Sequence, residues 1–378
     1  MPPRMAPRGR HRLLTASVAT AAALALAGLA LELWLRCREP AMPMRWGWKD
    51  PYAMAGKRPA HELNQLGYRG RAIEYSDDDL VVLLVGDSQV EADACAFDEM
   101  PERRLEAHLR ARLGRPVAVF SAGALGYGTD QQALALEEYF ARFRADAVVV
   151  WLTPGNDPRE VMLPVAPIPK PTFWLEGDTL CGPTARIGDP VPRGSRAWQW
   201  LRDRLRGPLE EHWHRHVLPP TNPPLPLDDQ PVRRDWGIVS LTGDDFRTEF
   251  LHALVQLDPP SPRARWVMRL IAALLQRMAA ATRAQGGVLL ALADDRPDFP
   301  LPDGLYEAEQ GGRRWRVRLS RRAYEENLAA MTAGVDLVRI PVTVRPFVAG
   351  ENDPHLNAHA VDQVMAALAE RLGERLHR

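Results

Sequence analysis

Three short runs of wholly apolar residues constrain this chain more than any other feature: 80–85 (LVVLLV), 117–120 (VAVF) and 147–152 (AVVVWL). Each has the length of a strand and lacks the polar alternation of a half-exposed one. Each therefore predicts a strand covered on both faces. Between them lie segments with helical spacing, 99–113, where Leu105, Leu109 and Leu113 stand four apart, and 130–143. Strand and helix in alternation predict a parallel sheet with right-handed crossovers. The same alternation resumes with a helix at 263–285, a strand at 287–292 (GVLLAL), a helix at 323–331, a strand at 335–340 and a last helix at 355–376. The expectation is an α/β fold, a three-layer α/β/α sandwich around a five-stranded parallel sheet. A Pro-rich insertion at 158–260 interrupts it, with a hairpin near 173–180 and a Trp-rich helix near 197–216.

The amino-terminal segment has a different character. Residues 1–12 carry Arg4, Arg8, Arg10 and Arg12 and no acid, and 13–31 hold no charge at all. About 20 apolar residues span the hydrocarbon core of a bilayer. Glu32 interrupts the run, Leu33, Trp34 and Leu35 extend it, and Arg36 and Arg38 close it. More arginine before the run than after it favours an internal amino terminus and an exported remainder. Two readings fit: a retained single-pass signal anchor in the inner membrane, or a signal peptide cut at an Ala-x-Ala site between Ala21 and Ala27 with the rest secreted. The expected organisation is a basic tail at 1–12, an anchor at 13–35, an approach segment at 36–78 and the α/β domain at 79–378.

Charge sharpens that division. The 48 basic and 48 acidic residues cancel over the whole chain. Residues 1–38 hold six arginines and one acid, a net of +5, which leaves −5 for the remainder. A mildly acidic exported part argues against a nucleic-acid partner. Cys37, Cys95 and Cys181 are too few for a disulfide framework or a zinc cluster.

In open α/β sheets ligands bind beyond the carboxyl ends of the strands. After the first strand comes Gly86-Asp87-Ser88. After the second comes Ser121-Ala122-Gly123-Ala124-Leu125-Gly126-Tyr127-Gly128. After the third comes Pro154-Gly155-Asn156-Asp157, and after the fifth Asp353-Pro354-His355. A hydroxyl, a glycine loop, an amide and an Asp/His pair on one sheet edge make the inventory of a serine acyl-transfer site.

These four blocks, in this order, resemble the SGNH (GDSL-type) hydrolase superfamily, in an exported, membrane-anchored form. Gly86-Asp87-Ser88 matches the first block and Gly126 best fits the second. Asn156-Asp157 match the third, although its glycine is shifted to Gly155. Asp353-Pro354-His355 fits the short form of the last. Asn64-Gln65-Leu66-Gly67-Tyr68-Arg69-Gly70 looks like a segment seen in exported members. The resemblance covers about 80–157 and 263–376 and implies a flavodoxin-like layered fold. It also implies roles: Ser88 as nucleophile, His355 as base, Asp353 as the carboxylate that orients it. The oxyanion hole would be formed by the Ser88 and Gly126 N–H groups and the Asn156 amide; Asp157 is read separately as structural, a cap or a loop brace. It implies no cofactor and no metal.

Simpler readings stand beside these. Asp87 and Ser88 are good helix caps, and Asp353-Pro354-His355 could be a turn opening the last helix. His355 and His359 are four apart and could ligate a metal with Asp353. His212, His214 and His216 read as a solvated helix surface, because His214 does not share the face of the other two. Trp174, Trp198, Trp200 and Trp213 read as packing of the insertion onto the sheet domain. The Gly126-Tyr127-Gly128 loop lacks the third glycine of a dinucleotide fingerprint.

The functional expectation is a serine-dependent ester hydrolase acting outside the cytoplasm, in the periplasm, on O-acetylated glycans or small esters. Its other expected contact is with the membrane, through the amino-terminal helix. Two alternatives stay open: an O-acyltransferase that modifies an envelope or extracellular polysaccharide with the same triad, and a non-catalytic envelope-assembly protein.

Overall fold

The computed structural model describes residues 7–38, 58–164, 170–184, 197, 201, 213, 216–223, 225–236, 251–310, 312–350 and 353–376. The chain divides into two compact units, Met1–Met44 with Pro190–Glu211, and Arg45–Asp189 with His212–Arg378.

The first unit contains α1 (Pro7–Arg38). Its stretch Ser17–Trp34 has a mean hydropathy of 1.6 and no part of it is buried. At 1.5 Å per residue those residues reach about 27 Å, close to a bilayer's hydrocarbon thickness. Among the described residues this is the one helix long and apolar enough to cross a membrane. Within this unit the Glu32 carboxylate accepts a hydrogen bond from the Ala197 N–H at 2.8 Å.

The second unit is built on the apolar runs. Its elements are β1 (Leu80–Gly86), α2 (Ser88–Glu91), α3 (Pro101–Leu113), β2 (Val117–Gly123), α4 (Thr129–Phe140), β3 (Ala147–Leu152), α5 (Asp157–Met162), β4 (Trp174–Glu176) and β5 (Thr179–Cys181). Then come α6 (Pro262–Ala284), β6 (Val288–Asp295), β7 (Gly304–Gln310), β8 (Arg313–Leu319), α7 (Arg321–Met331), β9 (Asp336–Pro341), β10 (Val348–Gly350), β11 (Asp353–Leu356) and α8 (Ala358–Leu376). Five strands form one parallel sheet in the order β2-β1-β3-β6-β9.

Pleat alternation sorts β1 between two cores. Val81, Leu83 and Val85 pack in one cluster with Leu136 and Tyr139 of α4 and Leu270 and Leu274 of α6. Leu80, Val82 and Leu84 pack in the other with Leu105 and Leu109 of α3 and Val361 and Leu368 of α8. The result is the expected three-layer α/β/α sandwich. Truncating a fully buried leucine such as Leu83 to alanine costs about 2–5 kcal/mol by loss of transfer energy and cavity formation.

Two departures from the sequence expectation have local causes. The last helix begins at Ala358, not 355, and residues 353–356 pair antiparallel with β10 instead. A residue preceding proline disfavours helical backbone, so Asp353-Pro354 resists helix. The start is set by Asn357, whose Oδ1 accepts the Ala360 N–H at 3.0 Å. The β7–β8 hairpin was not expected from the charged run at 313–318, although Gly311-Gly312 is a turn signal. The hairpin near 173–180 is present as β4 and β5. Most of the expected 197–216 helix, with Trp198, Trp200, His212 and His214, lies outside the described residues. Trp174 and Trp213 make an edge-to-face pair, and Trp213 Nε1 donates to the Met162 carbonyl at 3.0 Å. Those two tryptophans are therefore packing residues of this unit.

Candidate active site

In the sheet order, β1 is flanked by β2 on one side and β3 on the other. This is the switch point of a doubly wound sheet, where a crevice opens beyond the carboxyl ends of the strands. All four sequence blocks lie at that edge. Gly86, the last residue of β1, is paired with Gly123 of β2 and Trp151 of β3.

Ser88 is held by unusually close backbone packing. A Cβ on Gly86 would meet Val90 Cγ2 at 2.5 Å, and one on Gly123 would meet Val90 Cβ at 2.6 Å. The two glycines let the single-turn helix α2 settle onto the ends of β1 and β2. Asp87 caps α2, its carboxylate accepting the Gln89 N–H at 2.9 Å. The capping reading of Asp87 and a chemical role for Ser88 are thus compatible. The helix ends at Ala92 in left-handed backbone, φ 49°, the one non-glycine residue with positive φ among the described residues.

The Asn64–Gly70 segment explains how that turn is held. Arg69 is buried and donates to three backbone carbonyls, Glu91 O at 3.1 Å, Ala92 O at 2.5 Å and Cys95 O at 3.0 Å. Glu62 is its carboxylate partner at 3.2 Å. Asn64 donates to the Ser121 carbonyl at 2.9 Å and accepts from the Leu66 and Tyr68 N–H groups. The segment is a brace between the end of α2 and the end of β2.

Asp353 and His355 come from β11. His355 Nδ1 lies 2.5 Å from Asp353 Oδ1, and the His355 N–H donates to the same oxygen at 3.0 Å. Burial opposes ionisation of Asp353, but the two His355 contacts outweigh it and hold the carboxyl below its ordinary value. An ionised carboxylate only accepts, so the contact places a ring proton on Nδ1. β11 is tied to α2 by the Leu356 N–H, which donates to Gln89 Oε1 at 3.3 Å.

Ser88, Asp353 and His355 line one cavity of about 150 Å³. Glu91, Asp93, Ala94 and Leu125 complete its wall. Glu91 was not singled out from sequence. It is buried, accepts the Leu125 N–H at 2.6 Å and pairs with Arg58 at 3.2 Å. It therefore ties the loop that contains Gly126 to the helix that starts at Ser88.

Gly126 and Asn156 are not among the lining residues. Gly126 adopts φ +74°, which explains glycine there. Gly128 is glycine for another reason, since a Cβ would lie 2.7 Å from the Val161 backbone nitrogen of α5. That contact docks the loop after β2 onto the helix after β3. Asn156 is half-buried at the start of α5 and its side chain makes no capping bond to that helix. Its loop is held by His252, whose Nδ1 lies 3.2 Å from the Gly155 carbonyl and whose Nε2 lies 3.0 Å from Arg159 Nη1.

Asp157 is fully buried and braces the same loop, accepting the Thr153 N–H at 2.7 Å and the Gln132 amide at 3.3 Å. Burial, then the neighbouring Asp87, push its carboxyl well above the ordinary value. Burial likewise raises Asp87. Among the described residues no group of three His, Cys, Asp or Glu side chains is placed to hold a metal ion, and His359 stands on α8, beyond the cavity wall.

No family model and no curated protein matches this chain. Solved structures overlap with it at low similarity. A carbohydrate acetylesterase family member from Sinorhizobium meliloti is 13% identical, with a TM-score of 0.31 over 79% of this chain and 99% of that one. An acetyl xylan esterase from Butyrivibrio proteoclasticus is 9% identical, with a TM-score of 0.34 over 81% of this chain and 66% of that one. The native aryl esterase of M. smegmatis is 10% identical, with a TM-score of 0.31 over 78% and 98%. Likeness at this level brings no residue role and no substrate to the chain.

Proposed function

We propose that this chain is a serine-dependent acyl-ester hydrolase of SGNH type, held at a membrane by α1 and acting outside the cytoplasm. The observation that carries the reading is the cavity shared by Ser88, Asp353 and His355, with the imidazole 2.5 Å from the carboxylate. A serine hydroxyl is a weak nucleophile and needs a base in reach. In this reading Ser88 Oγ attacks the ester carbonyl while His355 Nε2 takes its proton. Asp353 stabilises the imidazolium that forms. The tetrahedral oxyanion accepts hydrogen bonds from the Ser88 and Gly126 N–H groups and the Asn156 amide. His355 then returns the proton to the departing alcohol, and water releases the acid from Ser88 by the reverse sequence. The small cavity suits a short acyl group, and a site outside the cytoplasm makes O-acetyl groups on glycans fitting substrates.

The test uses the full chain in detergent micelles with a 4-nitrophenyl acetate and octanoate pair and a fluorophosphonate probe, beside S88A. Turnover that favours acetate, and labelling that disappears in S88A, are expected. Neither turnover nor Ser88-dependent labelling would overturn the proposal. A labelled enzyme that releases acyl slowly to water and quickly to an added glycan is instead a transferase.

A further inference from the structure

We infer that Arg296 is a positioning residue that fixes the Pro354–His355 peptide and, through it, the His355 ring. The inference rests on reading His355 as the base. That peptide is clamped at both ends. Its carbonyl, Pro354 O, accepts from Arg296 Nη1 at 2.5 Å, and its N–H donates to Asp353 Oδ1 at 3.0 Å. The same Asp353 oxygen meets the imidazole. A shift of the peptide therefore moves the ring and its carboxylate partner together.

β11 is short and pairs only with the three-residue β10, across an irregular register. Its position relative to α2 is set by polar ties to the body. Two of these are modest, the Gln89 amide to Leu356 N–H at 3.3 Å and Cys95 Sγ to Leu356 O at 3.8 Å. The Arg296 bond is charge-assisted and short, the strongest kind available to a carbonyl. Arg296 is itself anchored in the sheet. Its Nε donates to Asp294 Oδ2 at 2.5 Å, and Asp294 Oδ1 accepts Trp151 Nε1 at 2.8 Å. Trp151 is fully buried in β3 and Asp294 is near the end of β6. A continuous path thus runs from two central strands to the peptide that bears His355.

The burial of this guanidinium supports the same reading. The Arg296 side chain is 11% exposed and is paired with Asp294. Buried ion pairs contribute little net stability because desolvation offsets attraction. A guanidinium this buried that donates to a β11 backbone carbonyl is better explained by the position it enforces than by stability.

The experiment uses the full chain in micelles with R296K, R296M and D294N/R296M. With 4-nitrophenyl acetate, R296M lowers kcat about 10–100-fold and leaves KM within about twofold, the scale of a ring misplaced by an ångström. R296K keeps a donor for Pro354 O and recovers most of the loss. D294N/R296M, which removes the orphaned carboxylate, stays as slow as R296M. Recovery in that double variant would trace the damage to unpaired Asp294 and overturn the inference. A second readout needs no turnover: the far-downfield proton resonance of His355 Nδ1–H, assigned by its absence in H355Q. It is sharp in the wild type and R296K, and broadened by solvent exchange in R296M and D294N/R296M. An unchanged resonance in both methionine variants would also overturn the inference. A chain without esterase activity whose resonance still depends on Arg296 loses the hydrolase reading and keeps the positioning role.

Discussion

Arg69 Nη1 donates to the carbonyl of Ala92 at 2.5 Å, so a buried guanidinium holds the left-handed turn that ends the Ser88 helix. Left-handed backbone costs an alanine roughly 1–2 kcal/mol. Such strain persists only where its surroundings over-determine it. Here the surroundings are the three carbonyls gathered by Arg69. Held there, Ser88 keeps its place at the cavity wall.

Replacing Arg69 with Met should release that turn. Three buried carbonyls would each lose a charged donor, and Glu62 would keep only its longer contact to Arg58 at 3.5 Å. We expect an R69M midpoint shift equivalent to about 2–3 kcal/mol, and fluorophosphonate labelling of Ser88 slowed about tenfold. A92G should by contrast leave labelling intact and not lower the midpoint, because glycine accepts the same φ without strain. Thermal unfolding and labelling rates measured side by side decide it. R69M labelling at the wild-type rate would remove the brace role.

The contrast between Ser88 and its braces shows what a sequence makes legible. The β1 run LVVLLV has no polar residue, so a doubly covered strand is its one comfortable state, and Ser88 follows it almost directly, whereas Asp353 and His355 stand on β11, beyond the end of β9. Arg69 and Arg296 act on backbone carbonyls 22 to 58 positions away in the chain. No local pattern encodes those contacts, because a carbonyl acceptor carries no side-chain signature. Asn357 was visible as a residue but hidden as a cap, since Asp353-Pro354-His355 stood ahead of it as a plausible helix start. The β8 strand was obscured by Arg313, Arg314, Arg316 and Arg318, whose charge masks an alternation that Trp315, Val317 and Leu319 carry.

Gly86 should tolerate no side chain unless Val90 is cut back. The Gly86 Cβ position lies 2.5 Å from Val90 Cγ2. Overpacking of this kind costs about 1–3 kcal/mol. G86A should lower the unfolding midpoint and slow Ser88 labelling, and G86A/V90A should recover part of both, a non-additivity expected of touching residues. Additive losses in the double variant would place the strain elsewhere.

In the proposed hydrolase, Asn156 would separate binding of the oxyanion from activation of the nucleophile. Its amide is free of capping duty in α5. Loss of one oxyanion donor typically costs about 10²–10³ in rate. N156A should lower turnover of 4-nitrophenyl acetate on that scale while Ser88 labelling stays detectable. Unchanged turnover would remove Asn156 from the oxyanion hole.

Stability should fall as pH rises through neutrality, and Glu160 gives the sign. Burial pushes its carboxyl up from 4.5 to about 7, against the attraction of Arg159 and Lys170 and with the help of Asp87 and Asp130. The folded chain therefore holds a proton that the unfolded chain gives up above about pH 4.5. The stabilisation this brings is complete below the unfolded value and lost as pH climbs through about 7. At roughly 1.4 kcal/mol per unit, a displacement of this size corresponds to about 3 kcal/mol. Gln matches the protonated form at every pH. E160Q and the wild type should unfold together near pH 4.5, and E160Q should become the more stable chain by pH 8. Parallel unfolding midpoints across that range would show that Glu160 ionises in the folded chain as easily as in water.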